Sequence, residues 1–194
     1  MKRILLVVAM TLSLAACGVN DVPRLDEEVN AAWSQVENQY KRRADLIPNL
    51  VETVKGYAAQ ERETLTAVTE ARAKVSQMTV TPETINDPQA MQRFEQSQGD
   101  LSRALSRLMV VSERYPDLKS NQNFLALQSQ LEGTENRISV ARRDYIEAVR
   151  KYNTELRTIP GRWIAAVLYP DAKPKENLKN DAGVDETPKV SFGK

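Results

Sequence analysis

The sequence predicts an all-α protein, an elongated antiparallel (up-and-down) four-helix bundle, and three observations lead there. Apolar residues recur in steps of three and four through long intervals without proline, which lines them up on one face of a helix. Prolines fall between those intervals, at 23, 48, 82, 88, 116 and 160 and then at 170, 174 and 188. No stretch alternates apolar and polar residues between turn signals in the manner of a strand.

The chain opens with Lys2 and Arg3, followed by an apolar run of 13 residues from Ile4 to Ala16 and then by Cys17, the single cysteine in 194 residues. A charged start, a short apolar centre and small residues before a cleavage point form a secretory signal layout, since a spanning helix needs about 20 apolar residues. The string Leu14-Ala15-Ala16-Cys17 resembles the lipobox of bacterial lipoproteins, in which the cysteine is lipidated after the signal is cut. This assigns 1–16 to a signal peptide, Cys17 to lipid attachment, as with palmitate, and 17–23 to a linker. Two or more acyl chains hold a protein stably on a bilayer, where one does so only marginally. Gly18 after the cysteine favours the periplasmic side of the outer membrane, with the inner membrane as the alternative.

Four helices follow, over about 24–44, 47–79, 89–115 and 118–158. Leu25, Val29, Ala32, Trp33, Val36 and Tyr40 form the first apolar face. Ile47, Leu50, Val54, Tyr57, Glu61, Thr64, Val68, Ala71, Val75 and Met78 form a second stripe with polar interruptions, as do Met91, Phe94, Gln98, Leu101, Leu105, Leu108, Ser112 and Tyr115 in the third. The fourth stripe, Phe124, Leu127, Leu131, Thr134, Ile138, Ala141, Tyr145, Ala148 and Tyr152, has one polar member and reads as a coiled-coil-like seam. Asp87 caps the third helix ahead of Pro88, and Pro116 stops it. At Asp45-Leu46-Ile47-Pro48 a reversal and a kink in one long helix are both open, and the reversal is favoured because Pro48 suits the start of a helix. Close helix approach would explain Gly56, Gly99 and Gly133, each of which costs a helix about 1 kcal/mol.

After the break at Pro160-Gly161 comes the apolar segment Trp163 to Tyr169, in which Trp163, Ile164, Leu168 and Tyr169 are candidates for a membrane interface. Packing across the end of the bundle is the competing use. Helices of these lengths, at roughly 1.5 Å per residue, bring the fourth back to the lipid side and Trp163 near the tether. The bundle with this segment occupies 24–169, and the polar, turn-rich 170–194 reads as a disordered tail.

Composition excludes several functions. Taking Lys2 and Arg3 with the signal from the 27 basic residues leaves 25 against 26 acidic ones, so no basic surplus points to nucleic acid. Histidine is absent, which removes the commonest general base and nitrogen metal ligand. No glycine-rich phosphate loop or nucleophile motif accompanies the scattered acids. Neither a catalytic residue nor a cofactor is predicted. Lys41, Arg42, Arg43 and Asp45 crowd the end of the predicted first helix, and Glu135, Asn136 and Arg137 interrupt the last. Ion pairing on a solvated face is the commoner outcome for such clusters; a partner surface is the sharper one.

The stretch AWSQVENQYKRRADLIPNLVETVKGYAAQERETLTAVTEARAKV, from Ala32 to Val75, resembles the signature of the LemA family. So do YPDLKSNQNFLALQSQLEGTENRISVARRDYIEAVRKYN, from Tyr115 to Asn153, and the closing IPGRWIAAVLYP. The resemblance implies a four-helix up-and-down bundle on a bacterial membrane, in a family without established enzymatic activity. Many members carry an N-terminal hydrophobic membrane segment, where this chain has a signal and Cys17. Frequent encoding beside TPM-domain proteins suggests such a protein as partner. The expected function is a lipid-anchored envelope scaffold or interaction module; the alternative is a membrane-active protein that binds or remodels the bilayer through its C-terminal apolar segment.

Overall fold

A computed structural model describes residues 18–78 and 82–179 of the chain. Among the described residues all regular structure is helical: α1 (Asp21–Tyr57), α2 (Arg62–Gln77), a 3-10 turn at Pro82–Asn86, α3 (Pro88–Ser112), α4 (Pro116–Lys119), α5 (Gln122–Glu155) and α6 (Gly161–Leu168). The signal and Cys17 lie outside the described residues, as does the part of the tail from residue 180 onward. The expected linker shrinks to a turn at Gly18–Asn20, because α1 already begins at Asp21.

The expected reversal at Pro48 does not occur. α1 continues through it for 37 residues, roughly 55 Å. The reason is phase: Leu25, Val29, Trp33, Val36, Tyr40, Ala44, Ile47, Leu50 and Val54 are all buried and step by three or four without interruption. Pro48 itself faces solvent. The carbonyl of Ala44, which would take the N–H that proline lacks, instead accepts from Arg72 Nε of α2 at 3.3 Å.

The chain turns back at Ala58–Glu61. Ala58 leaves helical geometry at φ −134° while fully buried, and Tyr57, Glu61 and Thr64, the polar members of the second predicted stripe, straddle this turn. Tyr115 seals it, donating its hydroxyl to Glu61 Oε1 at 2.9 Å and accepting from Gln60 Nε2 at 2.9 Å. Its phenol is held above the usual tyrosine range, first by that bond to Glu61 and then by desolvation.

The start of α3 follows its expected mechanism. Asp87 accepts from Gln89 N at 2.8 Å with Pro88 in the first turn. α3 stops at Ser112, three residues before the predicted end, and Pro116 opens the short α4. Asn121 then caps α5 by accepting from Phe124 N at 3.0 Å, and eight of the nine fourth-stripe residues are buried, with Leu127 partly so.

α1 shares its largest interface with α5. The two are antiparallel: Tyr57 meets Asn121, Arg43 meets Glu135, and Trp33 meets Tyr145. α2 runs back along α1, and α3 returns along α2 from the Met78–Ser97 contact to the Glu61–Tyr115 bond. Two hydrophobic cores result. One, at the end where the described chain begins, centres on Trp33, Tyr40, Phe94, Tyr145 and Tyr152; the other is mainly aliphatic, built on Ile47, Leu50, Leu101, Leu105, Leu108 and Leu131.

The described part of the expected disordered tail is packed. Leu178 is buried in the aromatic core, Tyr145 Oη donates to Glu176 O at 2.7 Å, and Asn153 exchanges two 2.9 Å bonds with the backbone of Lys175. Composition alone missed this because the hydrogen bonds come from α5 side chains. The expected close approach at Gly56, Gly99 and Gly133 is also absent, since a Cβ on any of them would meet nothing within 4 Å. Among the described residues Gly161 is the glycine that packing requires: a Cβ there would overlap the Glu155 carbonyl oxygen and carboxylate where α6 folds back on the end of α5.

Candidate functional site

Between the two cores lies a polar layer. In α1, Arg43 occupies the seam between Tyr40 and Ile47; in α3, Gln98 does so between Phe94 and Leu101; in α5, Thr134 does so between Leu131 and Ile138. All three side chains are buried, Arg43 to 1% exposure. An unpaired charge there would cost several kcal/mol, so its partners decide whether the layer is tolerable.

Arg43 is held from two other helices, α3 and α5. Its Nη1 donates to Ser102 Oγ at 2.9 Å and to Glu135 Oε1 at 2.8 Å, and its Nη2 donates to Gln98 Oε1 at 2.5 Å and to Gln98 O at 3.3 Å. The guanidinium also sits 5.0 Å from the centre of the Tyr40 ring. Only Nε has no acceptor among the described residues. A planar fork suits this fixed arrangement where an ammonium would not.

Glu135 is half-exposed, because the layer opens into a cleft of about 670 Å³ between α1, α3 and α5. Arg103, Arg142 and Lys179 line it with Arg43, against the carboxylates of Glu95 and Glu135. Arg142 donates to Tyr40 Oη at 3.2 Å and to Lys179 O at 2.6 Å, and Lys179 N donates to Glu95 Oε1 at 2.8 Å, so the packed C-terminal segment forms one rim.

The structure thus divides the predicted partner surface. Arg43 and Glu135 come together in the cleft. Lys41, Arg42 and Asp45 are exposed on α1, while Asn136 and Arg137 line a separate shallow groove with Gln35, Gln39, Val140 and Asp144. Gln98, Ser102 and Glu95 were missed as partners, yet Gln98 and Thr134 are the polar interruptions of their stripes, and their coincidence in level with Arg43 is the signal that finds the layer. Among the described residues no group of acids or cysteine is placed to hold a metal ion.

The predicted interface residues lie at the opposite end of α1 from its turn. Tyr169 Oη donates to Val19 O at 3.2 Å, and Ile164 Cδ1 lies 3.6 Å from where a Cβ on Gly18 would be. This segment therefore lies at the end where the described chain begins, and the reversal that brings it there is at Ala58 rather than at Pro48, where it was expected; Cys17 itself is outside the described residues. Trp163 and Leu168 are exposed; Ile164 and Tyr169 are partly covered.

An extended all-helical protein with two cores and a buried arginine layer is the class that fold and site define. The model of the LemA family matches residues 32–192, and the chain belongs to that family. It is 24% identical over 149 residues to a protein named LemA from Metamycoplasma hominis, covering 77% of this chain and 64% of that one. It is 25% identical over 164 residues to the magnetosome protein MamQ 2 of Paramagnetospirillum magneticum, covering 76% of this chain and 60% of that one. The chain thus spans less than two thirds of the length of these relatives.

Proposed function

We propose that this protein is a non-enzymatic scaffold of the bacterial cell envelope, lipid-anchored at Cys17, whose four-helix up-and-down bundle holds a polar face at a fixed distance from the membrane for a protein partner. The observation that carries the reading is the joint between tether and rod: the lipobox-like Leu14-Ala15-Ala16-Cys17 is followed by a turn at Gly18–Asn20 and then by a 37-residue helix. Seating on the periplasmic side of the outer membrane follows from Gly18, with the inner membrane as the alternative.

The partner surface in this reading is the cleft around Arg43 and Glu135, flanked by the exposed Lys41, Arg42 and Asp45 and by the neighbouring Asn136 and Arg137. Its pre-ordered donors support recognition without a large ordering cost. Family resemblance makes a TPM-domain protein a first candidate partner. Among the described residues no helix is long and apolar enough to cross a membrane, so a spanning segment is no part of this reading.

Metabolic labelling with a palmitate analogue should tag the wild type and not Cys17→Ala. Photo-crosslinkers at Gln96 and Arg103, both exposed on the cleft rim, should then capture one reproducible envelope protein. Unlabelled wild type removes the anchor from this reading; labelled protein that captures nothing removes the scaffold.

A further inference from the structure

The outer face of α6 is unlike the rest of the described surface. Ile159, Trp163, Val167 and Leu168 are exposed by 63%, 63%, 77% and 53%, within ten residues of one another, whereas the other large exposed hydrophobics, Tyr57, Val110, Leu125 and Val140, are scattered along the chain. Isolated apolar side chains on a surface need no explanation, but a cluster does. Trp163 and Val167 are one helical turn apart and share a face. The opposite face is accounted for: Gly161 and Ala165 are buried and Ile164 is partly so. α6 is therefore fixed on one side and uncovered on the other.

Its position says what covers it. Tyr169 is bonded to Val19, and Ile164 Cδ1 lies 3.6 Å from where a Cβ on Gly18 would be, so α6 sits at the end of the molecule that Cys17 joins, with its covered face toward Gly18 and its apolar face turned outward. With consecutive Cα atoms about 3.8 Å apart, acyl chains on Cys17 would bring lipid to this end of the molecule first. An exposed tryptophan with aliphatic neighbours suits the boundary between headgroups and acyl chains, and Arg157 and Arg162, both exposed, suit the headgroup layer.

We infer that α6 is a lipid footprint: its Trp163–Val167 face, with the exposed Ile159 and Leu168 at its two ends, lies in the bilayer interface near the tether and sets the tilt of the helical rod. At eight residues α6 lies on the surface and does not span. The inference rests on the tethered reading above and adds a second, non-covalent attachment to it.

Trp163 is the natural reporter, because the only other tryptophan, Trp33, is buried and can be replaced: Trp33→Phe removes an indole N–H that has no acceptor among the described residues. The acylated full chain carrying Trp33→Phe is reconstituted in vesicles of phosphatidylethanolamine and phosphatidylglycerol with brominated acyl chains. The expected result is flotation with the vesicles, loss of most Trp163 emission to the brominated lipid, and protection from aqueous iodide. Adding Val167→Asp, an exposed position, should restore emission and iodide access without releasing the protein. Wild-type protein, retaining both tryptophans, should give the same quenched component, absent from Trp163→Phe, which controls for any damage by the Trp33 substitution. Flotation with Trp163 open to iodide overturns the footprint and leaves the tether standing. Shielding from both quenchers in native envelopes also overturns it, by assigning the face to a protein. Failure to float removes tether and footprint together.

Discussion

The two cores on either side of the Arg43 layer share α1, α3 and α5, but α2 contributes to the aliphatic core alone, and the two close differently. The aromatic core carries Trp33 against Phe94 and Tyr145, at ring separations of 5.3 and 5.1 Å, and its tyrosines have hydroxyls to offer. Tyr145 uses its hydroxyl to bind the carbonyl of Glu176, while Lys175 lies 5.7 Å from the Tyr152 ring and pairs with Asp26 at 2.9 Å. Amphipathic aromatic residues thus let a polar segment act as a cover. The aliphatic core has few such handles and is closed by the turn at Ala58–Glu61 and by α4. The difference teaches that the composition of a seam decides what kind of chain can lie across it.

The largest effect should come from Trp33→Ala, which removes the centre of the aromatic core at about 3–5 kcal/mol. Urea unfolding would measure it, and the loss should be accompanied by hydrogen exchange of the backbone at 174–178, a response that Leu101→Ala in the other core should not produce. Tyr145→Phe should cost about 1 kcal/mol and leave the carbonyl of Glu176 without its donor, freeing the same segment while both cores persist. Alkaline titration probes the same handles. Burial, and next Asp26, pushes the Tyr152 phenol from the ordinary 10.0 up to about 12, and burial pushes Tyr145 higher still. Both stay protonated in the fold where the unfolded chain has begun to release its protons, so stability is intact below pH 10 and falls as pH rises toward 12. Absorbance at the phenolate band should therefore lag the exposed tyrosines and rise together with loss of helix.

On the aliphatic side, Arg72→Met should cost about 1 kcal/mol, because it strips the substitute donor from Ala44 O. In a Pro48→Ala background, where the helix supplies that donor itself, the cost should vanish; equal costs in both backgrounds would break the account of how α1 passes its proline. The smallest change runs the other way. Gly133→Ala should stabilise by about 0.5–1 kcal/mol in thermal melts, since the helix interior gains propensity and the added methyl meets open space.

Much of this was legible in the sequence, and the limits have physical causes. Periodicity located the α5 seam and most of α3, and the Asp87-Pro88 boundary followed from capping chemistry, because both depend on neighbours three or four residues away. Pro48 misled because its local preference for a helix start was weighed above the unbroken apolar phase from Leu25 to Val54, and the donor that makes the proline tolerable is 24 residues downstream. The candidate surface was half found: Arg43 and Glu135 were singled out, but nothing within one helix says that they pair across 92 positions or that Gln98 joins them.

By itself, the sequence determined that the chain is helical, that its long seams are apolar, and that its acids, lacking histidine and glycine-rich loops, compose no recognisable catalytic motif. These follow from spacing and residue chemistry, which are local. The tertiary structure decided where the chain turns, that 170–179 covers the aromatic core, that a buried arginine separates two cores, and that the face of Trp163 and Val167 lies uncovered on the helix that packs near Gly18. Each of those depends on which distant groups satisfy a backbone carbonyl, a buried charge or an apolar surface, and only the folded chain brings them within reach.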